Sequence, residues 1–474
     1  MNNFFKFIKT SGVYFLGKAL SFIVTFVMLK IYTANVSKTG YGYYDLVVSY
    51  IQSLIPFVFI EIWSGMLRRT LLHKNEEDKE KAICTSLFFT LGVLVFYCSG
   101  FFIFSSLVPF ESSFLIFIYS VSYLLFSYFC ILARALKRNK LFAVSGIIGS
   151  LSNAAIGLIS IYLLKLDYQA LFLAVISNYL IQAIVVFLFT KSWRFFKFSR
   201  FDKTEAKELF KFCLPLALNT LVNYAYTGFY KTIVNVRLGT DILGVYAVSI
   251  KFAAIITFVG TIFHLAWQEM SYSISEENNK THVFVRGLEL FGYVMAICSA
   301  CILPLIKFVF PIVIATEYYD AENYVPYYYL YIYFFMMNGF MYNILAAENK
   351  TTMLFVGKLI GTIVLMGLMF VLLPYFNILS VPISIVVASI FEYVFLRLYT
   401  GLKYSIKYFN YSLIIALVFY FAGCFIFIKF DRIINLLWLV VCFVLTSFLA
   451  YLINRRFVNG ILSSVRRKKE DTTE

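Results

Sequence analysis

Long apolar stretches separated by short polar loops make up most of this chain. A bilayer hydrocarbon core about 30 Å thick requires roughly 20 apolar residues per helix, and each stretch has about that length. The pattern therefore predicts an all-α integral membrane protein with about fourteen transmembrane helices, spans 1 to 14. They lie near residues 11–33, 43–66, 83–107, 113–133, 142–164, 168–190, 212–236, 242–266, 287–312, 325–346, 351–373, 378–396, 410–428 and 433–453.

Lysine and arginine alternate with these spans and predict the orientation. Of the 41 basic residues, 30 lie in the segments that are cytoplasmic if the N-terminus is inside, 5 lie in the opposite loops, and 6 lie within spans. Cytoplasmic loops of membrane proteins carry such an excess. We therefore expect both termini on the cytoplasmic side, and we expect the inner-face cations to contact anionic lipids.

Composition removes several classes of protein. With 61% hydrophobic and 14% charged residues, the chain is not typical of a soluble domain. The formal charge of +16 is explained by the inner-face residues, so no nucleic-acid partner is expected. Cys298 and Cys301 form a C-x-x-C pair inside an apolar span, without the second pair or nearby histidine that a zinc site needs. Neither a metal nor a cofactor is expected.

Two landmarks recur along the chain. Gly42 and Tyr44 match Gly244 and Tyr246 at an offset of 202 residues, and Asn139-Lys140 with its following glycines matches a similar string 210 residues later. Six spans separate the copies, so they enter the membrane from the same side and form parallel repeats. This predicts an N-lobe over 1–200 (spans 1–6), a C-lobe over 201–406 (spans 7–12), a hairpin over 407–455 and a basic cytoplasmic tail over 456–474. A central cavity is expected between the lobes.

Six lysines lie within spans, where a cation costs about 2.5–3.5 kcal/mol on insertion scales. Two of them, Lys30 and Lys307, lie near outer helix ends and can extend toward the interface. The other four predict a cavity for an anionic ligand such as a phosphate, and they are Lys18, Lys231, Lys251 and Lys358.

Acidic residues within spans are fewer. Asp45 lies just below the predicted outer surface, and Glu61 lies two turns before Arg68 on the same predicted helix face. Asp45, Glu61 and Arg68 are therefore candidate coupling or ion-pair residues. Glu289 and Glu392 are expected to pair with nearby arginines and to have structural roles.

No motif of the sequence supports catalysis. It contains no Walker-type glycine-rich loop, HExxH or GxSxG, so we expect a transporter and not an enzyme. Transport would then be driven by an ion gradient, the membrane potential or the flux of product.

Several short strings resemble the polysaccharide flippases of the multidrug/oligosaccharidyl-lipid/polysaccharide (MOP) exporter superfamily, which include the O-antigen flippases. The resemblance extends from residue 1 to about 455. It is carried by GYGYYDL at 40–46, RR at 68–69, ARA at 133–135, KFCLPL at 211–216 and LGVYAVSIK at 243–251.

This resemblance implies a flippase that moves an undecaprenyl-diphosphate-linked oligosaccharide from the cytoplasmic to the outer leaflet by alternating access. The oligosaccharide would be an O-antigen or another surface polysaccharide repeat unit. The family's cavity cations are thought to hold the diphosphate, and Lys251 matches within the string at 243–251. Lys18 and Lys231 match in location. The resemblance also implies a bacterial cytoplasmic membrane and, as possible partners, a polysaccharide polymerase and chain-length machinery.

Three alternatives remain open at this stage. An ion-coupled drug or cation antiporter of the same superfamily would need acidic residues in the cavity, for which Asp45 and Glu61 are the candidates. A lipid II flippase would share the fold. A membrane polymerase or glycosyltransferase is less favoured, because its site would need a sizeable outer loop or acidic loop motifs. The most acidic outer loop, Glu317 to Glu322, is short and has no strong acidic motif.

Overall fold

Helices account for nearly all of the chain that the computed structural model describes, and no β-strand occurs within that part. The described residues are 23–24, 26–73, 75–273, 280–348, 350–404, 411–442 and 444–445. Lys18 and the predicted basic tail lie outside them. The helices are α1 Lys38–Val58, α2 Ile62–Leu72, α3 Glu76–Leu107, α4 Ser113–Ala135, α5 Asn139–Leu158, α6 Tyr168–Thr190, α7 Lys203–Thr227, α8 Phe229–Leu238, α9 Thr240–Ser273, α10 Lys280–Val313, α11 Val325–Ala347, α12 Thr351–Phe376, α13 Ser380–Tyr404 and α14 Tyr411–Lys429.

Predicted span 2 is a broken helix. Its two halves, α1 and α2, meet at an angle of 51°. Pro56 lies near the end of α1, and Ile60 and Glu61 between the halves have positive φ angles of 46° and 48°. Proline removes a helical hydrogen bond, and a left-handed backbone cannot continue a right-handed helix. The break therefore turns the inner half of the span away from the axis of the outer half.

Predicted span 7 is also divided, and the division comes at Gly228, between α7 and α8. The start of α7 is well defined, because the Asp202 carboxylate accepts hydrogen bonds from the amides of Thr204 at 2.7 Å and Glu205 at 3.2 Å. Such N-caps satisfy amide groups that have no partner within the helix. In the predicted repeat, span 2 corresponds to span 8 and span 7 corresponds to span 1, so the two breaks are separate features.

Six helices in the described residues are long and apolar enough to cross a membrane, or seven if α1 and α2 count as one span. Predicted spans 1 and 14 lie partly outside the described residues. The all-α membrane architecture is confirmed, whereas the number fourteen stays a prediction.

The chain divides into two compact units. The first comprises Met1–Val248, Val313–Tyr319 and Lys358–Val381, and the second comprises Ser249–Ile312, Asp320–Gly357 and Pro382–Glu474. The first unit has a core of large apolar side chains from α1 to α7, including Phe59, Tyr119 and Phe172. In the second unit the Phe340 ring stacks on Trp267 at 4.1 Å and on Phe291 at 4.7 Å. The predicted lobes and their boundaries remain predictions.

A tight turn follows α14. Residues 432–442 form a short helix after it, and the buried Asn435 amide donates to the carbonyl groups of Ile426, Phe430 and Asp431 at 3.1–3.2 Å. These bonds satisfy carbonyl groups at the end of α14, where no helical partner is available. The turn coincides with the loop predicted between spans 13 and 14.

Candidate functional site

The first unit brings a predicted cavity cation and a predicted ion-pair residue together. Lys231 lies in the short helix α8, and its Nζ is 2.6 Å from Oδ2 of Asp45 in α1. The side chains are only 11% and 13% exposed. Lys231 Nζ also donates to Oγ of Ser49 at 2.7 Å. The two residues therefore form one buried pair, which their separation in the sequence does not predict.

The local geometry of α1 and α8 positions this pair. Asp45 and Ser49 are four residues apart and lie on one face of α1, and the Ser49 hydroxyl donates to the Asp45 carbonyl at 2.8 Å. This bond uses the hydroxyl hydrogen, so the Ser49 oxygen can accept from Lys231. One position along each helix, the hydroxyls of Tyr50 and Thr232 are 2.8 Å apart. The two helices thus share a continuous set of polar contacts.

Lys358 is a second buried lysine among the described residues of the first unit. It lies in α12 and is 7% exposed, and its Nζ lies 4.0 Å from the centre of the Tyr226 ring in α7. A cation over an aromatic face is stabilised by the ring quadrupole, and the effect increases where water is excluded. Tyr226 was not singled out by the sequence analysis, because nothing in the sequence distinguishes it among 36 tyrosines.

The remaining lysines have different surroundings. Lys251 lies in α9 within the second unit and is half-buried. Lys307 Nζ is 2.7 Å from Glu322 and 4.7 Å from the centre of the Phe427 ring, so an ion pair holds it near the predicted outer surface. Lys18 lies outside the described residues.

The break in span 2 separates the other candidates. Glu61 lies at the break with a left-handed backbone and is half-buried. The Arg68 guanidinium lies 4.3 Å from the centre of the Phe212 ring. Its neighbour Arg69 instead forms a two-point ion pair with Glu205 of α7, at 2.7 and 2.5 Å. Sequence spacing identified Arg68, and the structure shows that the adjacent arginine joins α2 to α7.

A group of three or more histidine, cysteine or acidic side chains arranged to hold a metal ion does not occur among the described residues. The expectation that no metal is bound remains a prediction for the chain as a whole.

Solved structures with the same fold are membrane transporters. An inward closed lipid II flippase MurJ superposes with a TM-score of 0.67 and 16% identity, covering 95% of this chain and 100% of that one. An inward-facing MATE-family multidrug resistance transporter of the MOP superfamily gives a TM-score of 0.64 at 12% identity, covering 81% of this chain and 94% of that one. A MOP superfamily transporter from Pyrococcus furiosus Vc1 gives a TM-score of 0.57 at 13% identity, covering 84% of this chain and 96% of that one. In that transporter, the reverse polarity of the binding pocket suggests a different function.

The fold is thus that of a multi-pass membrane transporter of the MOP superfamily. The sequence profile of the family described as polysaccharide biosynthesis protein matches residues 7–267, which is more than half of the chain. The chain belongs to this family, as the resemblance predicted. No curated protein sequence matches it.

Proposed function

We propose that this protein is a flippase that moves an undecaprenyl-diphosphate-linked oligosaccharide from the cytoplasmic to the outer leaflet by alternating access. Membership of the polysaccharide biosynthesis family supports a cargo used to build a polysaccharide. The transporter fold supports movement of that cargo across the membrane, not its synthesis. A bacterial cytoplasmic membrane with both termini inside is part of this proposal.

The observation that carries the proposal is the burial of lysines in membrane helices. Lys231 and Lys358 are 9% and 7% exposed. Burying an ammonium group in a membrane helix is costly even where Asp45 or the Tyr226 ring offsets part of the cost, so lysines at these positions indicate a function. A diphosphate is the most highly charged part of a lipid-linked oligosaccharide, and an ammonium group binds phosphate as a compact point charge. We assign diphosphate binding to Lys231, Lys251, Lys358 and Lys18.

The ion-coupled antiporter is the second candidate, and Glu61 favours it. This carboxylate lies half-buried at a break in a predicted membrane span, where protonation or cation binding could alter the backbone. Asp45, the other candidate for coupling, is paired with Lys231. That pairing weakens the antiporter interpretation, because the Lys231 ammonium group already occupies the place beside the Asp45 carboxylate that an exchanged cation would take. A lipid II flippase has the same fold and is separated from our proposal by its cargo alone.

The inner-face cations also belong to the proposed function. Lys191 and Arg194 are exposed next to Trp193, which is 49% exposed, whereas Lys197 and Arg200 pair with Glu80 at 3.1 and 2.9 Å. We propose that the exposed cations contact anionic headgroups while the tryptophan lies at the interface. Association with a polysaccharide polymerase and chain-length machinery is a further part of the proposal.

Transport in proteoliposomes tests the cargo directly. The purified protein would be reconstituted with a fluorescent undecaprenyl-diphosphate-linked oligosaccharide, and the fraction accessible to an impermeant quencher would be followed over time. We expect faster exchange between leaflets than in protein-free vesicles, and little effect on lipid II. Equal activity on lipid II would favour the alternative flippase, and export of a cationic dye without lipid movement would favour the antiporter.

A further inference from the structure

We propose that Asp45 is an internal competitor for the anionic cargo, occupying Lys231 until a phosphate group displaces it. This inference rests on the proposed function and adds a mechanism by which binding is linked to a helix contact. It is carried by the geometry of the Asp45–Lys231 pair and by the position of that pair on α1.

The carboxylate of Asp45 occupies the place that a phosphate oxygen would take. Lys231 Nζ has three hydrogens, and its nearest acceptors are Oδ2 of Asp45 at 2.6 Å and Oγ of Ser49 at 2.7 Å. Carboxylate and phosphate oxygens both form short charge-assisted hydrogen bonds with ammonium groups. The Ser49 hydroxyl donates to the Asp45 backbone carbonyl, so its oxygen would go on accepting from Lys231 while a phosphate replaced the carboxylate.

Burial explains why an acid would be needed in the absence of cargo. Lys231 is 9% exposed, so removing its partner would leave a nearly buried cation without compensation. Exchanging one anion for another keeps the ammonium group neutralised throughout. The displaced Asp45 would need a new environment, such as water in an opened cavity, and this requirement links cargo binding to a change around α1.

The position of Asp45 suggests which contact would be released. One turn before Asp45, Gly42 lies against Gly244 at the start of α9, and Thr39 forms a hydrogen bond with Asp241. The Asp45–Lys231 pair therefore lies next to the contact that joins the predicted outer ends of spans 2 and 8. Losing the pair would remove one of the attachments between α1 and the α8–α9 segment.

Binding of a soluble diphosphate to the full-length protein in nanodiscs tests the competition. Farnesyl diphosphate would be the probe, and calorimetry would give its Kd. Asp45→Asn should tighten binding by about tenfold, because the competing charge is removed while the side chain keeps its size. Lys231→Ala should weaken binding by a similar factor. The matched control is Glu322→Gln, which removes the acidic partner of a different lysine, Lys307, and should leave Kd unchanged.

A second measurement uses the unaltered protein. The reaction of Asp45 with dicyclohexylcarbodiimide, quantified by mass spectrometry, should increase when farnesyl diphosphate is saturating, because the carboxylate leaves Lys231. This readout does not depend on whether the Asp45→Asn variant folds.

The outcomes separate the two proposals. Unchanged or weaker binding by Asp45→Asn, or unchanged labelling of Asp45 with the probe, overturns the competition. If Lys231→Ala still weakens binding in that case, the anionic site stands without the competitor. If neither Lys231→Ala nor Lys358→Ala affects binding, the proposed diphosphate site itself is wrong.

Discussion

Gly42 and Gly244 lie with their backbones in direct contact. A Cβ atom added to Gly42 would overlap the Thr240 carbonyl oxygen and lie 2.8 Å from the Gly244 amide nitrogen. A Cβ atom added to Gly244 would overlap the Lys38 carbonyl oxygen and lie 3.2 Å from the Gly42 amide nitrogen. The two glycines that mark the sequence repeat therefore meet at the point where α1 and α9 begin.

Gly42→Ala tests this contact. The added methyl group meets backbone atoms, which cannot rotate away, so we expect a loss of stability of about 1–3 kcal/mol or a shift away from this packing. Thermal unfolding in detergent and complementation of a flippase-null strain would both be measured at equal membrane abundance. Gly100→Ala is the control, because no atom lies within 4 Å of its added Cβ, and it should be neutral or slightly stabilising. Normal behaviour of both variants would exclude a tight contact at Gly42.

The Arg69–Glu205 pair should stabilise the junction of α2 and α7. The Glu205 side chain is 10% exposed, and both of its oxygens accept from Arg69. Arg69→Ala should cost about 3 kcal/mol, since a nearly buried carboxylate loses its partner. Arg69→Lys should recover part of the loss, because lysine retains the charge without the paired geometry. A double-mutant cycle with Glu205→Gln gives the coupling free energy between the two residues. A value near zero would contradict a stabilising ion pair.

Lys251 is the proposed cargo-binding residue that lies within a family-like string, LGVYAVSIK at 243–251. Lys251→Ala should abolish complementation of a flippase-null strain, whereas Lys251→Arg should retain some activity because the charge remains. Lys30→Ala is the control, since Lys30 is exposed near a predicted outer helix end. Normal transport by Lys251→Ala together with inactive Asp45→Asn or Glu61→Gln would favour the antiporter.

Thiol labelling tests the predicted orientation. In a cysteine-free background, Asp320→Cys should react with an impermeant reagent in intact cells, while Asn75→Cys and Thr472→Cys should be protected. Asp320 and Asn75 are both exposed in the structure, so burial would not explain a difference between them. Labelling at Asn75 from outside would reverse the orientation and the direction of transport.

The Asp202 N-cap should contribute a stability term that depends on pH. Hydrogen bonds from the amides of Glu205 and Thr204 lower the pKa of this carboxyl below its usual value. Its contribution is therefore present above the unfolded-state pKa of about 3.9 and is lost as the pH falls through the folded-state value. Asp202→Ala should cost about 1 kcal/mol near neutral pH.

The control for this prediction is Asp202→Asn, which caps a helix without titrating. The difference in stability between wild type and Asp202→Asn should change below about pH 4, and a difference that stays constant from pH 7 to 3 would contradict the assignment.

The pattern of apolar residues along the sequence determined the all-α membrane class and the approximate boundaries of helices. An apolar helix satisfies its own backbone, so the run from 113 to 133 was enough to predict α4, observed at Ser113–Ala135. The strings at 40–46 and 243–251 indicated the family, and the family profile confirmed it. These features are local, or depend on residue type alone, and can be recognised without knowing which helices are neighbours.

Only the tertiary structure decided which residues distant in the sequence are in contact. Hydropathy does not predict the 51° break in span 2, because the apolar run continues through Ile60. Asp45 and Lys231 are far apart in the chain, and only the packing of α8 against α1 brings their charges to 2.6 Å. The sequence indicates that burying each charge costs free energy. How far an opposite charge offsets that cost depends on the distance between the two groups and on the exclusion of water, and the packing of the helices sets both.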